Sequence, residues 1–236
     1  MDQFERETLL IGREGVERLR SARVALFGIG GVGGYAAEAL IRCGVGSLDF
    51  YDNDRVALSN LNRQLIALRS TVGRDKTDVM AERLRDINPE AKITGHKMFY
   101  LPEEAEQVDF ASFDYIADAI DTVTAKLDIA ERAYRLGVPA ISAMGAGNRL
   151  DPTQLRVGDI YETENCPLAR VMRKELRKRG IPSLKVVYST EPALSPQGEI
   201  SEQTSRRSTP GSIAFVPPVM GMIMASVIVS DLLSRP

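Results

Sequence analysis

The stretch RVALFGIGGVGG, residues 23–34, decides the fold of this chain. Its first five residues are apolar apart from Arg23 and are typical of a buried strand, and the glycines that follow predict a tight turn. Small apolar residues then recur at helical spacing over 35–43, and a second apolar run covers 48–51. A strand, a glycine-rich turn, a helix and a second strand make a βαβ unit.

Strand and helix patterns alternate up to about residue 146, which predicts a doubly wound sheet. Its further elements are helices over 76–87 and 125–136 and strands over 91–96, 114–118 and 138–144. Beyond it, strands over 154–160 and 184–189 flank a helix over 167–179, and 195–211 reads as a mobile loop. We expect an α/β, Rossmann-like, doubly wound, mostly parallel sheet with an antiparallel C-terminal extension. The chain suits one domain, 1–236, with halves at 1–146 and 147–236.

Composition and charge are those of an ordinary soluble enzyme. Apolar residues make up 44% and charged residues 26%, and the net charge of −2 excludes a global positive field that would attract nucleic acid or anionic lipid. Two cysteines are too few for a disulfide framework, which favours a cytoplasmic location. The apolar stretch 213–233 is interrupted by Pro217, Pro218 and Gly221, so we expect a packed terminal helix starting near Pro218 and no stable membrane insertion.

The glycine spacing predicts a phosphate site. Backbone N–H groups of such a turn and the amino end of the following helix bind phosphate oxygens, so we expect a cradle made by Gly28, Gly30, Gly31 and Gly33. Asp52 ends the second predicted strand and is placed to accept hydrogen bonds from ribose hydroxyls. These features fit NAD and an adenosine nucleotide equally well.

Two cations and a carboxylate downstream distinguish between those ligands. Attack of a carboxylate on the α-phosphate of ATP builds negative charge, which Arg63 and Lys76 would offset, whereas hydride transfer has little use for them. Asp121 lies beyond the carboxyl end of the fourth predicted strand, where it can hold Mg²⁺ that bridges phosphate oxygens. The pattern predicts an enzyme that uses ATP and Mg²⁺ to adenylate a carboxylate.

These residues resemble the adenylating family shared by ThiF, MoeB and the ubiquitin-activating enzymes. The resemblance rests on the glycine loop, Asp52, Lys76, Asp121 and the segment Asn60-x-Asn62-Arg63-Gln64. It implies catalytic roles for Arg63, Lys76 and Asp121, and a nucleotide site that also includes Asp54, Asn60 and Asn62. The segment Phe4-Glu5-Arg6 matches an N-terminal segment whose arginine reaches the partner protomer's site, so Arg6 would act in trans in a homodimer.

The second half resembles one branch of that family, the tRNA threonylcarbamoyladenosine dehydratases. The matching segments are 166–170, 171–179, 189–192 and 211–217, although members often have aspartate where this chain has Cys166. The resemblance implies ATP-dependent cyclisation of N6-threonylcarbamoyladenosine in tRNA through adenylation of its threonyl carboxylate, with release of AMP and pyrophosphate. It implies that 1–146 binds nucleotide and that 147–236 contacts RNA and the dimer partner. A cysteine-desulfurase sulfur-acceptor system is a further implied partner.

The predicted helix over 167–179 carries a basic face. Its cations fall at i, i+3, i+4, i+7 and i+8, which places them on one side of a helix, and Glu175 is almost the sole acid among them. Such a local patch on a net-acidic chain fits the phosphate backbone of RNA. We expect RNA contacts from Arg170, Arg173, Lys174, Arg177 and Lys178, extended by Arg206 and Arg207.

Three alternatives remain open at this point. ThiF and MoeB adenylate the C-terminus of a carrier protein, but they have paired Cys-x-x-Cys motifs for zinc that this chain lacks. A nicotinamide-dependent dehydrogenase would leave Arg63 and Lys76 unexplained, and an RNA-binding module with a vestigial nucleotide pocket would release no pyrophosphate. Cys166, Cys43 and the single histidine, His96, are interpreted as structural.

Overall fold

In the computed structural model, which describes residues 3–198 and 210–234, a seven-stranded sheet carries helices on both faces. The strands are β1 (Arg23–Phe27), β2 (Ser47–Tyr51), β3 (Lys92–His96), β4 (Tyr115–Asp118), β5 (Ala140–Ala143), β6 (Leu155–Asp159) and β7 (Lys185–Ser189). The helices are α1 (Glu5–Ser21), α2 (Gly33–Arg42), α3 (Lys76–Ile87), α4 (Val123–Leu136), α5 (Pro167–Lys178) and α6 (Val216–Leu233).

The strand order confirms the predicted fold class. The strands lie in the order β3-β2-β1-β4-β5-β7-β6, and the pairs are parallel except for β6 and β7. Because the chain builds outward from β1 through β2 to β3 and then returns to β4, the point of reversal lies between β1 and β4. Ligands of open α/β sheets bind at the carboxyl ends of the strands at this point.

The sheet is buried on both faces, as its central strands predict. Val24 and Leu26 of β1 pack into a core with α2, α3 and α6, whereas the alternate residues Ala25 and Phe27 pack into a second core beneath α4. A third core lies between α4 and α5. Continuous apolar runs are typical of strands that helices cover on both sides.

The predicted boundaries agree with the observed ones within one or two residues, and two of the differences have clear local causes. The predicted strand over 138–144 is shortened to Ala140–Ala143 because Gly137, at φ 68°, ends α4 in the left-handed region and the chain needs two residues to turn back. The last helix begins at Val216 rather than near Pro218, since its two prolines sit in the first turn, where N–H groups have no helical acceptor.

The terminal helix α6 packs against α2 and α1. It is long and apolar enough to cross a membrane, but half of its 18 residues are buried inside the protein. At the other terminus, α1 is interrupted at Gly12, where φ is 72° and ψ is 170°. Of the predicted loop 195–211, residues 199–209, including Arg206 and Arg207, lie outside the described residues.

Candidate functional site

A cleft of about 820 Å³ opens at the carboxyl ends of the strands, beside the reversal between β1 and β4. It brings together most of the residues that the sequence singled out. Those in its wall are Gly28, Gly30, Gly31, Asp52, Asp54, Asn60, Arg63, Lys76 and Asp121. Gly33 and Asn62 lie outside that wall, and Arg6 is exposed on α1, also outside it.

Glycine is required at different positions of the turn for different physical reasons. A Cβ on Gly33 would lie 1.8 Å from the carbonyl oxygen of Gly28, and Gly28 itself has a φ of 84°. These two positions therefore form the tight turn between β1 and α2. A Cβ on Gly30 would meet only the Nε2 of Gln64, at 3.8 Å. The chain leaves open space at Gly30, as a phosphate cradle requires.

Asp52 is held in place from two sides. Its carboxylate accepts hydrogen bonds from the N–H groups of Ile29, at 3.0 Å, and Asp54, at 2.9 Å. The first of these bonds ties the end of β2 to the glycine turn. A carboxylate that is fixed in this way can present its remaining lone pairs to ribose hydroxyls.

Lys76 is the buried cation of the cleft, with 4% of its surface exposed. Its Nζ donates to Oδ2 of Asp54 at 2.7 Å and lies 3.9 Å from Oδ1 of Asp52. Lys76 is the first residue of α3, so the helix start fixes where its side chain enters the cleft. Two carboxylates hold this ammonium group at the wall, where a nucleotide's phosphates can share it.

The turn 60–64 packs Arg63 against the glycine loop. A Cβ on Gly31 would lie 3.4 Å from Cγ of Arg63, and the guanidinium of Arg63 donates to Oδ1 of Asn62 and to the carbonyl oxygen of Ser59, both at 2.9 Å. Asn60 closes the turn, because its Oδ1 accepts the N–H of Ala57 at 3.1 Å. Asn62 instead donates to the carbonyl oxygen of Ser212 at 2.9 Å.

Gln64 is a site residue that the sequence interpretation passed over. It lies in the cleft wall, and its buried Oε1 has no hydrogen-bond partner among the described residues. A buried acceptor without a partner costs stability, which a donor on a bound ligand would recover. Its position directly after Arg63 in the motif was the available signal.

Lys126 supports the loop that carries Asp121 and was also missed. This lysine is completely buried, and its Nζ donates to Oδ2 of Asp118 at 2.9 Å and to the carbonyl oxygen of Ile120 at 3.0 Å. Ser142 donates to the same carboxylate at 2.6 Å. Since one cation binds both the end of β4 and the next turn, it determines where Asp121 lies. No motif pointed to it, because helical lysines are common.

The far end of the cleft is aromatic. Tyr51, Met98, Phe99 and Tyr100 line it, and Phe99 is exposed there. Burial raises the pKa of Tyr51 and of Tyr100 above the ordinary value, and the hydrogen bond to Asp128 adds to the effect at Tyr100. Both phenols therefore stay neutral at physiological pH. An apolar, aromatic wall of this kind suits a nucleobase.

The basic face of α5 begins next to the cleft, since Leu168 lies in the cleft wall. Its five cations are not equivalent. Arg173 is half-buried and donates to the carbonyl oxygen and the hydroxyl of Thr163, and Arg177 lies 5.0 Å above the ring of Tyr161. Lys178 pairs with Glu175 at 2.7 Å. Arg170, Lys174, Arg177 and Lys178 are all exposed, but Arg177 and Lys178 are engaged within the chain, so Arg170 and Lys174 are the cations of this face most available to a ligand.

The cysteines and the histidine occupy structural positions. Cys166 is buried at the start of α5, where its Sγ accepts the N–H of Ala169 at 3.5 Å. Burial, with Glu7 nearby, raises the pKa of the Cys43 thiol to about 11. His96 lies 3.0 Å from Oδ1 of Asp49 and stacks on Tyr51. Neither thiol is presented as a nucleophile.

The model of the ThiF family matches residues 4–235. The tRNA threonylcarbamoyladenosine dehydratase of Bacillus subtilis is 42% identical over 242 residues, which cover 99% of this chain and 95% of that protein. Two crystal structures of the E. coli tRNA N6-threonylcarbamoyladenosine dehydratase TcdA are each 33% identical over 98% of this chain and 94% of theirs. The complex with AMP superposes with a TM-score of 0.90 and the complex with ATP with 0.89.

Proposed function

The chain belongs to the ThiF family, and from that premise we propose that it dehydrates N6-threonylcarbamoyladenosine in tRNA at the expense of ATP. The observation that carries the proposal is the pair of cations in the wall of the cleft that contains the glycine loop. Lys76 is buried in the cleft wall and Arg63 packs on Gly31, so both reach the place where phosphates would lie. A site that only holds a dinucleotide needs neither charge.

The proposed reaction has two steps, and neither step needs a nucleophile from the protein. The threonyl carboxylate attacks the α-phosphorus of ATP, and pyrophosphate leaves. The carbamoyl group of the same modification then closes on the activated carbonyl carbon, AMP leaves and a proton is released. Together the steps remove one water from the modified nucleoside and convert ATP to AMP and pyrophosphate.

The chain's contribution is binding and electrostatics. Gly30 and Gly31 leave room for the phosphates, the amino end of α2 stabilises their charge, and Asp52 binds the ribose. Charge accumulates on the α-phosphate and on pyrophosphate as the bond breaks, where Lys76 and Arg63 offset it. The aromatic end of the cleft, at Phe99, receives the adenine of ATP.

Magnesium fits this site as a partner of the nucleotide. In residues 3–198 and 210–234, no group of three His, Cys, Asp or Glu side chains is arranged to hold a metal by itself. Mg²⁺ is commonly bound by one or two carboxylates together with substrate phosphates, and Asp121 in the cleft wall supplies one. When bound, the ion would neutralise charge on the phosphate oxygens.

Transfer RNA would approach along α5. Arg170 and Lys174 are exposed on the helix whose first turn lines the cleft, so a phosphate backbone bound there leads to the ATP site. Arg177, Lys178 and Arg173 would add to the field while they keep their contacts within the chain. A tRNA substrate would be met in the cytoplasm, which is the location that we propose. The sulfur-acceptor partner stays a prediction.

A homodimer would complete the site with Arg6 of the second protomer. Leu9 and Leu10 lie one helical turn beyond Arg6, and each is 86% exposed. Two adjacent leucines exposed to water suggest an apolar surface that the second protomer covers in the dimer.

The activity is tested by nucleoside mass spectrometry on threonylcarbamoyl-modified tRNA incubated with the protein, ATP and Mg²⁺. We expect loss of one water from the nucleoside, and a rate roughly 10²–10³-fold lower for Lys76→Ala because one charge at the reacting phosphate is removed. Lys92→Ala, an exposed lysine at the first position of β3, is the control and keeps the wild-type rate. Unchanged tRNA would contradict the proposal, and pyrophosphate exchange stimulated by a small carrier protein would then support carrier activation.

Complementation tests the role of Arg6. Arg6→Ala and Lys76→Ala should each retain no more than about 1% of wild-type activity. Co-refolded mixtures should regain about a quarter of it, because half the dimers are mixed and each mixed dimer has one intact site. If Arg6 acted within its own chain, the mixture would stay inactive.

A further inference from the structure

A second cavity, of about 520 Å³, adjoins the nucleotide cleft. Its wall is largely apolar, with a few polar groups, and includes Leu150, Leu194, Pro196 and Ile213 together with Asn148 and Gln197. Gly211 and Ser212 line both this cavity and the cleft, so the backbone of these two residues lies between them. The volume is that of a site for a small organic group.

The shared wall is hydrogen-bonded from both sides. From the turn 60–64, whose residues Asn60, Arg63 and Gln64 line the cleft, Asn62 donates to the carbonyl oxygen of Ser212 at 2.9 Å. On the other side, Asn148 exchanges two bonds with Gly211, through its own N–H at 2.8 Å and its Oδ1 at 2.6 Å. The carbonyl oxygen of Asn148 also accepts the N–H of Leu194 at 2.9 Å. Asn148 therefore joins two walls of the cavity and holds them at a defined distance from the cleft.

A buried cation lines the same cavity. Arg149 is 3% exposed, and its Nη2 donates to the carbonyl oxygen of Asn165 at 2.6 Å. Within the part of the chain that the structure describes, its Nε and Nη1 have no hydrogen-bond partner, and the one acceptor of its Nη2 is a carbonyl oxygen rather than a carboxylate. Burying an unpaired charge is costly, so an anionic ligand nearby would offset that cost.

A hydrogen bond connects the cavity wall to the start of the basic helix. Asn165, which accepts from Arg149, directly precedes Cys166 at the start of α5. The first turn of α5 also borders the cleft, through Leu168. A nucleic acid bound on α5 would meet the cavity beside the cleft.

We propose that this cavity binds the nucleobase of the modified nucleotide, turned out of the RNA loop, with Arg149 next to its flanking phosphate. The inference rests on the proposed function. Enzymes that act on a base inside folded nucleic acid extrude it into a pocket with apolar walls and a few polar groups. A base held here directs its N6 substituent across the Gly211–Ser212 wall to the phosphates in the cleft.

The test fills the cavity without touching the ATP site. Leu150→Trp replaces a cavity leucine that is 51% exposed, and Leu136→Trp is the matched control, at an equally exposed leucine (52%) at the end of α4. Binding is measured with two anticodon stem-loop RNAs, one that carries N6-threonylcarbamoyladenosine and one that is abasic at that position. Affinity for AMP and the thermal unfolding midpoint are recorded for each variant.

We expect Leu150→Trp to weaken binding of the modified RNA at least about tenfold relative to Leu136→Trp, with binding of the abasic RNA within about twofold. Equal weakening of both RNAs, or of neither, would overturn the proposal. Dehydration by the wild-type protein is assayed in parallel, so that a failure of the proposed function is seen separately. Arg149→Met should weaken both RNAs, because it removes a phosphate contact, and unchanged binding would overturn the role of Arg149.

Discussion

The nucleotide cleft and the second cavity are built in different ways. The cleft lies where parallel strands end, and its buried charges are paired: Lys76 with Asp54, and Lys126 with Asp118. The cavity is lined by loops. Asn148 joins these loops by hydrogen bonds, and the buried Arg149 in the wall has no partner for its Nε and Nη1 among the described residues. The turns of the cleft are fixed by the strands and helices that they join, whereas the longer loops around the cavity are held mainly by side-chain hydrogen bonds, and such loops commonly determine which substrate binds.

The largest expected difference lies between two glycines of the same turn. Gly33→Ala places a Cβ 1.8 Å from the oxygen of Gly28, so the turn must break, and we expect loss of at least roughly 4 kcal/mol of unfolding free energy. At Gly30 an added Cβ has room, so the unfolding free energy of Gly30→Ala should stay within about 1 kcal/mol of wild type. The same Cβ would occupy space meant for phosphate, and ATP should bind about tenfold more weakly. Urea unfolding and calorimetric titration measure the two effects. Equal destabilisation by both variants would refute the separate roles.

The buried pair beneath Asp121 should be the strongest polar contact of the cleft region. Lys126→Met leaves Asp118 as a buried carboxylate without its cation, with an expected cost of roughly 3–5 kcal/mol in urea unfolding. The double variant Lys126→Met/Asp118→Asn removes the charge as well and should recover part of that loss. A double variant that is less stable than the single one would show that the pair is not the reason.

The hydrogen bonds of Asn148 should contribute less to the unfolding free energy than the buried Lys126–Asp118 pair. Its φ of 59° disfavours alanine, and Asn148→Ala also loses the Oδ1 bond to Gly211, for a combined cost of about 2 kcal/mol. Asn148→Gly loses the bond alone and should cost about 1 kcal/mol less. Hydrogen exchange at the amides of Leu194 and Gly211 should accelerate in both variants. Unchanged exchange would mean that the loops do not depend on Asn148.

The smallest effect concerns acid stability at an ion pair outside the cleft, between Asp49 of β2 and Arg23 of β1. Burial alone would raise the pKa of Asp49, but hydrogen bonds from Arg23 and His96 outweigh it and hold the pKa below its ordinary value. A lowered folded-state pKa gives stability above the unfolded value of about 4, and this stability is lost as the pH falls through the folded value. Asp49→Asn should therefore cost roughly 1–2 kcal/mol at pH 7 and progressively less below pH about 4. A cost that is constant with pH would contradict the ion-pair role.

Much of the cleft could be predicted because its signals are local. The glycine spacing, Asp52 at a strand end and Lys76 at a helix start need only neighbouring residues to be recognised. Phe99 and Lys126 could not be assigned in this way, and neither could the burial of the Gln64 side chain. Their roles depend on which loops meet at the cleft and on which polar atoms become buried there, and both are consequences of packing between distant segments.

The amino-acid sequence alone determined the βαβ beginning, the alternation of strands and helices and the family motifs, because hydrophobic periodicity and turn chemistry act over a few residues. Only the tertiary structure decided that the turns at 28–33, 52–54, 60–64 and 119–122 form one cleft, since strand order is not a local property. It also decided which cations of α5 are engaged within the chain, and that Asn148 and Arg149 line a second cavity. Those outcomes depend on contacts across 16 to 150 residues of chain, which no short motif encodes.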